Sequence, residues 1–370
     1  MNQELKYVQV KDILTAHIRK NRPVGSKLPS TAELQQELGV SKTTVNRAIK
    51  DLVDEGHLER FRRRGTFVAR GNKNRVFLWL GAGEDICDPH RDMIMRGAAR
   101  EAQDRDEHLL VRGLDYGNEP IFTGTKGTPI AGAILLYNSV RSVVDAYHAQ
   151  HIPVVMVTAF VRFPGVPFVM GDHFGAGYEA TDYLTRHGHK KIVHVTIRSF
   201  PFRCTIMDER ILGYREAMHQ AGLGDWCDVF RTPIGMMGHA PTEDDVADDK
   251  IAVREFLAML DQLQPTACTC FDDLRAEWVI RVCHNHNIRI PEDLSVIGVN
   301  DDGHGARVWP ALTTVSLHLE EHGQSALRML DTMIEEARLT GGGEVLPATL
   351  VERDSVKVLV HEDKQRTAGN

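Results

Sequence analysis

The chain has 370 residues, 42% of them hydrophobic and 26% charged, with a formal net charge of −7. That is too long for one ordinary domain and ordinary in composition for a soluble globular protein. No apolar stretch approaches the roughly 20 residues that a bilayer-spanning helix needs, and the start MNQELKYVQVKD lacks a basic-then-apolar signal pattern, so a cytoplasmic, non-membrane protein is expected. The charge is uneven. Residues 1–75 carry 16 Lys and Arg against 8 Asp and Glu, and the remainder 28 against 43. A small basic unit on a large acidic one suggests a polyanion-binding head on a body with another task.

The head divides by its breakers. In LKYVQVKDILTAHI, Leu5, Val8, Ile13 and Ile18 recur among polar residues, which predicts an amphipathic helix. PVGSKLP interrupts it. Ser30 and Glu33 then stand at capping-box spacing and open a short second helix, which Gly39 stops. Ser41 can cap a third helix, along which Val45, Ala48, Ile49, Leu52 and Val53 form one apolar stripe. HLERFRRRGTFVAR reads as two short strands joined by a turn at Arg62–Gly65.

Two helices joined tightly, then a basic hairpin, make a winged helix-turn-helix. Its third helix presents Ser41, Lys42, Thr43 and Thr44 at the N-terminal end, with Asn46 and Arg47 one turn on, where free N–H groups and side chains can face DNA. Ser30 and Thr31 start the helix before it, and Arg62, Arg63, Arg64, Gly65 and Thr66 form the wing tip that would lie along phosphates or enter the minor groove.

Residues 7–69 resemble the gluconate-repressor (GntR) winged-helix family. The resemblance rests on Tyr7, GSKLPS at 25–30, the LxVSKTTVxRA run ending at Ala48, LxxxG ending at Gly56, and GTFV at 65–68. It implies double-stranded operator DNA as a partner. Two departures stand out: Ala32 replaces a frequent arginine, and Lys42 replaces the recognition-helix arginine. A lysine cannot fork onto a guanine edge, which favours phosphate positioning at that place.

After a short polar joint at 71–75 the pattern changes. VFLWLG (76–81), IAGAILLY (130–137), IPVVMVT (152–158), KIVHVT (191–196), ACTCF (267–271) and LSVIGVN (294–300) are apolar runs separated by helix-like segments. Alternation of this kind predicts parallel sheets covered on both faces, and about 285 residues suit two lobes. GAGYEA at 175–180 meets the weak GxGxxA fingerprint, but the next strand is followed by Ile197, Arg198 and Ser199 with no acidic residue for a ribose. Close helix packing explains those glycines better than a nucleotide, and no cofactor is expected. The six cysteines are scattered without a CxxC pair, and CHNH at 283–286 lacks two well-spaced ligand pairs, so no metal is expected either. GVNDDGHG at 298–305 sets Asn300, Asp301 and Asp302 at a strand's C-terminal end, where open α/β sheets bind ligands. With no nucleophile elbow in the chain, a ligand-binding loop is favoured over catalysis.

Residues 76–360 resemble the effector domain of the lactose/galactose-repressor (LacI/GalR) family, itself similar to periplasmic sugar-binding proteins. DPHRDMIMRGAAREA (88–102), DHFGAGYEATDYLTRHGHKKI (172–192), DERILGYREAMHQAGL (208–223), the run 271–302, PALTTV (310–315) and LPxxLVxRxS (346–355) carry it in order. The whole chain is then similar to arabinose-repressor-like chimeras, a winged helix on a sugar-sensing body. The resemblance implies an effector domain over 76–362 made of two Rossmann-like lobes, one of about 76–170 and 318–345, the other of about 171–317 and 346–362, with a polar tail at 363–370. It implies a ligand in the cleft between them, with Arg210, Asp272 and Asn300 gripping hydroxyls of a sugar. His90 and Arg91 stand where apolar residues are usual, and an arginine there would favour an acidic or more polar sugar; Arg162 is a further candidate. A homodimer on a pseudo-palindromic operator is expected. The insert 236–250 is expected to be an acidic surface loop. The function so implied is a non-enzymatic, ligand-responsive regulator, a repressor released by its effector. Its rivals are a purine or other non-sugar effector, and an α/β enzyme bearing a DNA-binding head.

Overall fold

A computed structural model of the chain describes residues 7, 10–11, 13–14, 26–54, 58–61, 64–68, 76–82, 89–105, 107–114, 130–137, 141–197, 205–232, 243–303 and 305–359. Helix α1 spans Thr31–Leu38 and begins with the reciprocal capping box: the Glu33 N–H donates to Ser30 Oγ at 3.3 Å and the Ser30 N–H to Glu33 Oε2 at 2.7 Å. It ends at Gly39, whose φ of 62° is the left-handed stop that glycine adopts without strain. Helix α2 spans Lys42–Asp54, and Ser41 Oγ accepts the Thr44 N–H at 3.2 Å. Val45, Ala48, Ile49 and Leu52 are buried against Val10, Leu14, Leu28, Leu34 and Leu58, so the apolar stripe in the sequence closes the core of the head. Strands β1 (Leu58–Phe61) and β2 (Gly65–Val68) pair antiparallel with Phe61 opposite Gly65. The Leu28 N–H donates to Thr66 O at 2.8 Å and fastens the wing to the helices.

The body contains two six-stranded sheets. The first takes β3 (Val76–Ala82), β4 (His108–Leu114), β5 (Ile130–Leu136), β6 (Val154–Val157), β7 (Phe168–Gly171) and β13 (Gly343–Leu346), in the order β13-β7-β6-β5-β3-β4 and all parallel. The second takes β8 (Ile192–Ile197), β9 (Asp228–Thr232), β10 (Ala267–Cys270), β11 (Ser295–Asn300), β12 (Thr313–Ser316) and β14 (Thr349–Val351), in the order β14-β12-β11-β10-β8-β9. Only β14 runs antiparallel to its neighbour. The chain therefore passes between the sheets three times, after β7, after β12 and between β13 and β14. The apolar runs at β6, β8, β10 and β11 form strands buried along their whole length, as a doubly covered parallel sheet requires.

The helices are α3 (Pro89–Asp104), α4 (Arg141–Ala149), α5 (His173–Arg186), α6 (Thr205–Gln220), α7 (Glu243–Leu263), α8 (Asp273–Asn285) and α9 (Leu319–Glu335). Two helix pairs cross backbone to backbone. A Cβ added at Gly97 on α3 would lie 1.8 Å from Glu320 O, and one at Gly323 on α9 would lie 1.9 Å from Ile94 O. Around α5 and α6 the same exchange recurs: Gly177 against Arg210 O at 2.1 Å, and Gly213 against Phe174 O at 2.0 Å.

One expectation fails. Residues 243–250 of the acidic insert begin helix α7 rather than forming a loop; residues 236–242 lie outside the described residues. The sequence here is acidic, and negative charge in a helix's first turns suits the positive end of its dipole. Asp249 then docks the helix on α8, accepting from Trp278 Nε1 at 2.7 Å and pairing with Arg281 at 3.3 Å. The joint at 71–75 and the tail at 363–370 fall outside the described residues.

Candidate functional site

At the head, Lys42, Thr43 and Arg47 are exposed at the start of α2. Ser41 Oγ lies 2.8 Å from Thr44 Oγ1, so those two hydroxyls hold the helix start together. Thr31 Oγ1 donates to Asn46 Oδ1 at 3.5 Å and ties α1 to α2. The Arg47 guanidinium rests 4.4 Å over the Tyr7 ring, whose hydroxyl donates to Asp51. That bond is the main cause of a Tyr7 pKa above the ordinary phenol value. Burial adds to it, so Arg47 leaves the head on a fixed aromatic platform. Arg64 is exposed at the wing turn, 5.7 Å from the Phe61 ring. Gly65 has φ 115° and faces Lys27, whose Cε would lie 2.7 Å from a Cβ there. Thr66 holds the backbone bond to Leu28. Arg62 and Arg63 lie outside the described residues.

In the body, Arg210 organises the C-terminal ends of the second sheet's strands. It is 2% exposed. Its Nη2 donates to Asn300 Oδ1 at 2.9 Å, its Nη1 donates to the Phe271 carbonyl, and Nε and Nη2 lie 3.3 and 3.1 Å from His173 Nδ1. The guanidinium also covers the Phe271 ring at 4.6 Å. Because a guanidinium only donates, His173 Nδ1 must accept and the proton sits on Nε2. That Nε2 is buried without a hydrogen-bond partner. Burial first, and the Arg210 charge second, hold His173 well below the usual imidazole range.

From the first sheet, His90 at the start of α3 lies 2.7 Å through Nδ1 from the Tyr137 hydroxyl. Burial and Arg210 lower its pKa to about 3, with Asp272 opposing them, so His90, Arg210 and Asp272 share one electrostatic neighbourhood. His90 stacks on Tyr137, and Tyr137 stacks on Phe160 at 5.3 Å with 6° between the planes. The result is a flat aromatic stack whose His90 end lies within electrostatic reach of Arg210.

The other residues singled out from the sequence are engaged in different ways. Asp272 caps α8, accepting the Arg275 N–H at 2.8 Å and pairing with its guanidinium at 3.1 Å. Asp301 pairs with Arg353 at 2.7 Å. Arg91 lies 3.3 Å from Asp92. Arg162 covers the Phe168 ring at 5.3 Å and reaches across to Glu209 on α6 at 3.4 Å. Beside that pair, the Thr205 N–H and hydroxyl both donate to Phe160 O, at 3.4 and 3.1 Å. Residues 160–162 and the start of α6 are thereby clasped.

His173, Tyr137 and Phe160 were not anticipated. Tyr137 follows directly on β5, a strand-end position that could have marked it; His173 had no such signal. The GxGxxA run lies in the first turns of α5. There the Gly175 N–H donates to Asp172 Oδ1 at 2.7 Å, and Gly177 makes the close crossing to α6. A carboxylate of the chain itself occupies the place a pyrophosphate would need. Among the described residues no helix is long and apolar enough to cross a membrane, and no group of three or more His, Cys, Asp or Glu side chains is placed to hold a metal.

Comparison with known proteins agrees with this geometry. Residues 6–68 match the bacterial regulatory proteins of the gntR family, and residues 181–356 match the periplasmic binding protein-like domain. The arabinose metabolism transcriptional repressor of Geobacillus stearothermophilus is 26% identical over 384 residues, covering 95% of this chain and 98% of that protein. The transcriptional repressor CytR of Escherichia coli K12 is 27% identical over 354 residues, covering 93% and 98%. Among solved structures, a LacI family transcriptional regulator from Enterococcus faecium with bound ribose superposes with a TM-score of 0.63 at 20% identity, over 77% of this chain and all of that one. The chain thus carries a gntR-family domain at its head and a periplasmic binding protein-like domain in its body, and is similar over nearly its full length to transcriptional repressors.

Proposed function

We propose that the chain is a cytoplasmic, ligand-responsive transcriptional repressor without enzymatic activity. It binds operator DNA as a homodimer through its winged helix, and a sugar or sugar derivative between the two lobes of its body releases it. The observation that carries this reading is the meeting of Arg210, Asn300 and His173 at the strand ends, with the His90–Tyr137–Phe160 stack close enough for Arg210 to act on His90. Fixed planar donors and acceptors on one side and a flat apolar face on the other suit the two surfaces of a pyranose or furanose ring. The full-length relatives are named as repressors, which supports the same reading for the head. Lobe boundaries near 171, 317 and 346 follow the three passages between the sheets.

Contact to DNA is assigned to Ser30, Thr31, Ser41, Lys42, Thr43, Thr44, Asn46, Arg47, Arg64, Gly65 and Thr66, together with Arg62 and Arg63. Within the cleft, Arg210, Asn300 and His90 face the effector. Asp272, Asp301, Arg91 and Arg162 act from its rim.

The test is thermal unfolding of the pure protein against pentoses, hexoses, uronic acids, phosphorylated sugars and purine nucleosides. A true effector at 100 times its Kd adds about 2.7 kcal/mol to the folded state. The same compound should dissociate the protein from duplexes selected out of a random pool. A hit from the nucleosides alone would replace the sugar; no hit from any class would leave the head's function standing and remove the sensor.

A further inference from the structure

The turn that carries Asn300 is held in an unusual backbone form. Asn300 has φ 122°, Asp301 φ 54° and Gly303 φ 85°. Two successive non-glycine residues on the left-handed side persist only where their surroundings over-determine them. Two side chains supply that constraint, and neither belongs to the cleft wall.

The first is Asp273, 2% exposed at the start of α8. Its Oδ2 accepts the Asp302 N–H at 3.1 Å and its Oδ1 accepts the Thr314 hydroxyl at 2.5 Å. The carboxylate reaches the turn by passing over Gly298, where a Cβ would stand 2.2 Å from Asp273 Oδ1. Any larger residue at 298 would block the path. The second is Arg353, beyond β14. Its Nη2 donates to Asp301 Oδ1 at 2.7 Å and its Nη1 to Leu312 O at 2.7 Å, while its own N–H donates to Thr313 Oγ1 at 2.9 Å. Asp273 thus grips the residue two after Asn300, and Arg353 the residue immediately after it.

We infer that Asp273 and Arg353 are positioning residues of the cleft, holding the turn 300–303 from behind so that the Asn300 side chain stays on Arg210. This rests on the cleft being the effector site. Their contacts are with the turn and with Leu312, Thr313 and Thr314, so each acts through Asn300. A guanidinium is suited to the second place because its fork reaches a carboxylate and a carbonyl at once, which a lysine cannot do.

Hydrogen–deuterium exchange of the full chain without ligand tests the grip directly. Asp273→Asn and Arg353→Met should each speed exchange of the Asp302 amide and its neighbours about tenfold or more, while β8 and β10 keep wild-type protection. Arg353→Lys should fall between, and Asn300→Ala, which keeps both grips, should leave the Asp302 amide protected. Wild-type exchange at Asp302 in both grip variants would overturn the inference, as would protection lost equally through β8 and β10. The second arm uses L-arabinose, D-ribose, D-glucose and cellobiose as probes. For any that binds the wild type, both variants should weaken its Kd about tenfold or more and leave sugar-free DNA affinity unchanged. An unchanged Kd would overturn the inference too. Should none of the four bind the wild type, the sugar reading is what fails, and the exchange result still decides whether the two side chains hold the turn.

Discussion

Arg210 donates to Asn300 across 2.9 Å, linking helix α6 to the end of strand β11 over 90 residues of chain. The same guanidinium satisfies His173 and the Phe271 carbonyl. Arg210→Ala would leave three buried acceptors without their donor, each costing about 1–3 kcal/mol when unsatisfied. The expected outcome is an unfolding free energy, from urea titration, lowered by about 3 kcal/mol or more, together with loss of any effector-induced thermal shift. Arg210→Lys should recover part of the stability and little of the response, because an ammonium cannot reach all three partners. A full response in the lysine variant would show that the fork is not needed.

Acid should destabilise the body, and the sign follows from its buried imidazoles. His173, His189, His194 and His322 are all buried. Burial lowers all four, to about 4 at His189 and about 3 at His194 and His322. Unfolded imidazoles gain protons near pH 6.5 while the folded ones stay neutral. Below pH 6.5 the unfolded chain therefore holds more protons, and stability falls by about 1.4 kcal/mol per pH unit for each histidine until its folded pKa is reached. Asp273 works the other way. Burial and Asp302 raise it to about 7, so the folded chain keeps a proton that the unfolded chain releases, and its contribution grows as the pH drops from 7 toward 4. Four groups outweigh one. Urea midpoints at pH 7.5, 6.0 and 5.0 should fall in that order, and His194→Gln should reduce the slope by about one proton. Equal midpoints would refute the account.

The clasp between Arg162 and Glu209 should add little to stability. Their side chains are 41% and 29% exposed, and pairs so placed contribute about 0–1 kcal/mol. Glu209→Gln is expected to change the unfolding free energy by less than about 1 kcal/mol, measured by denaturant titration. A larger loss would mean that the pair is shielded from water and locks the two sheets together.

Salt dependence reads the head. If Lys42 positions a phosphate, Lys42→Ala should lower the log–log salt slope of DNA binding by about 0.9 and weaken all sequences alike. Arg63→Ala combined with Arg64→Ala should flatten the slope further. A Lys42→Ala variant with an unchanged slope but altered sequence preference would instead make Lys42 a base reader.

What the sequence made legible is what lies close along the chain. The Ser30–Glu33 box, the Gly39 stop, the stripe on α2 and the apolar strands all depend on spacings of a few residues, and all are present. Pairings over long separations were not legible. Asp273 to Thr314 and Asp301 to Arg353 span 41 and 52 residues, and no local pattern encodes which of many polar residues will meet; Arg210 and Asn300, 90 residues apart, were brought together only by the family resemblance. Helix α7 was missed because its acidic start looked like a solvated loop, although the same charges favour a helix N-terminus.

The two glycine crossings bear on where this molecule can yield. At Gly97–Gly323 and Gly177–Gly213, main chain rests on main chain with no side chain between, and contacts of that kind have no rotamer to give. Each half of the body is stiffened by one such weld. Compliance is left to the three short passages between the sheets, which are single strands of chain with no crossing of this type. If the two halves move as units, the chain would turn near His173, His318 and the residues after Leu346. An effector held beside Arg210, as proposed, would act close to the first of these places, because the guanidinium Nε lies 3.3 Å from His173 Nδ1.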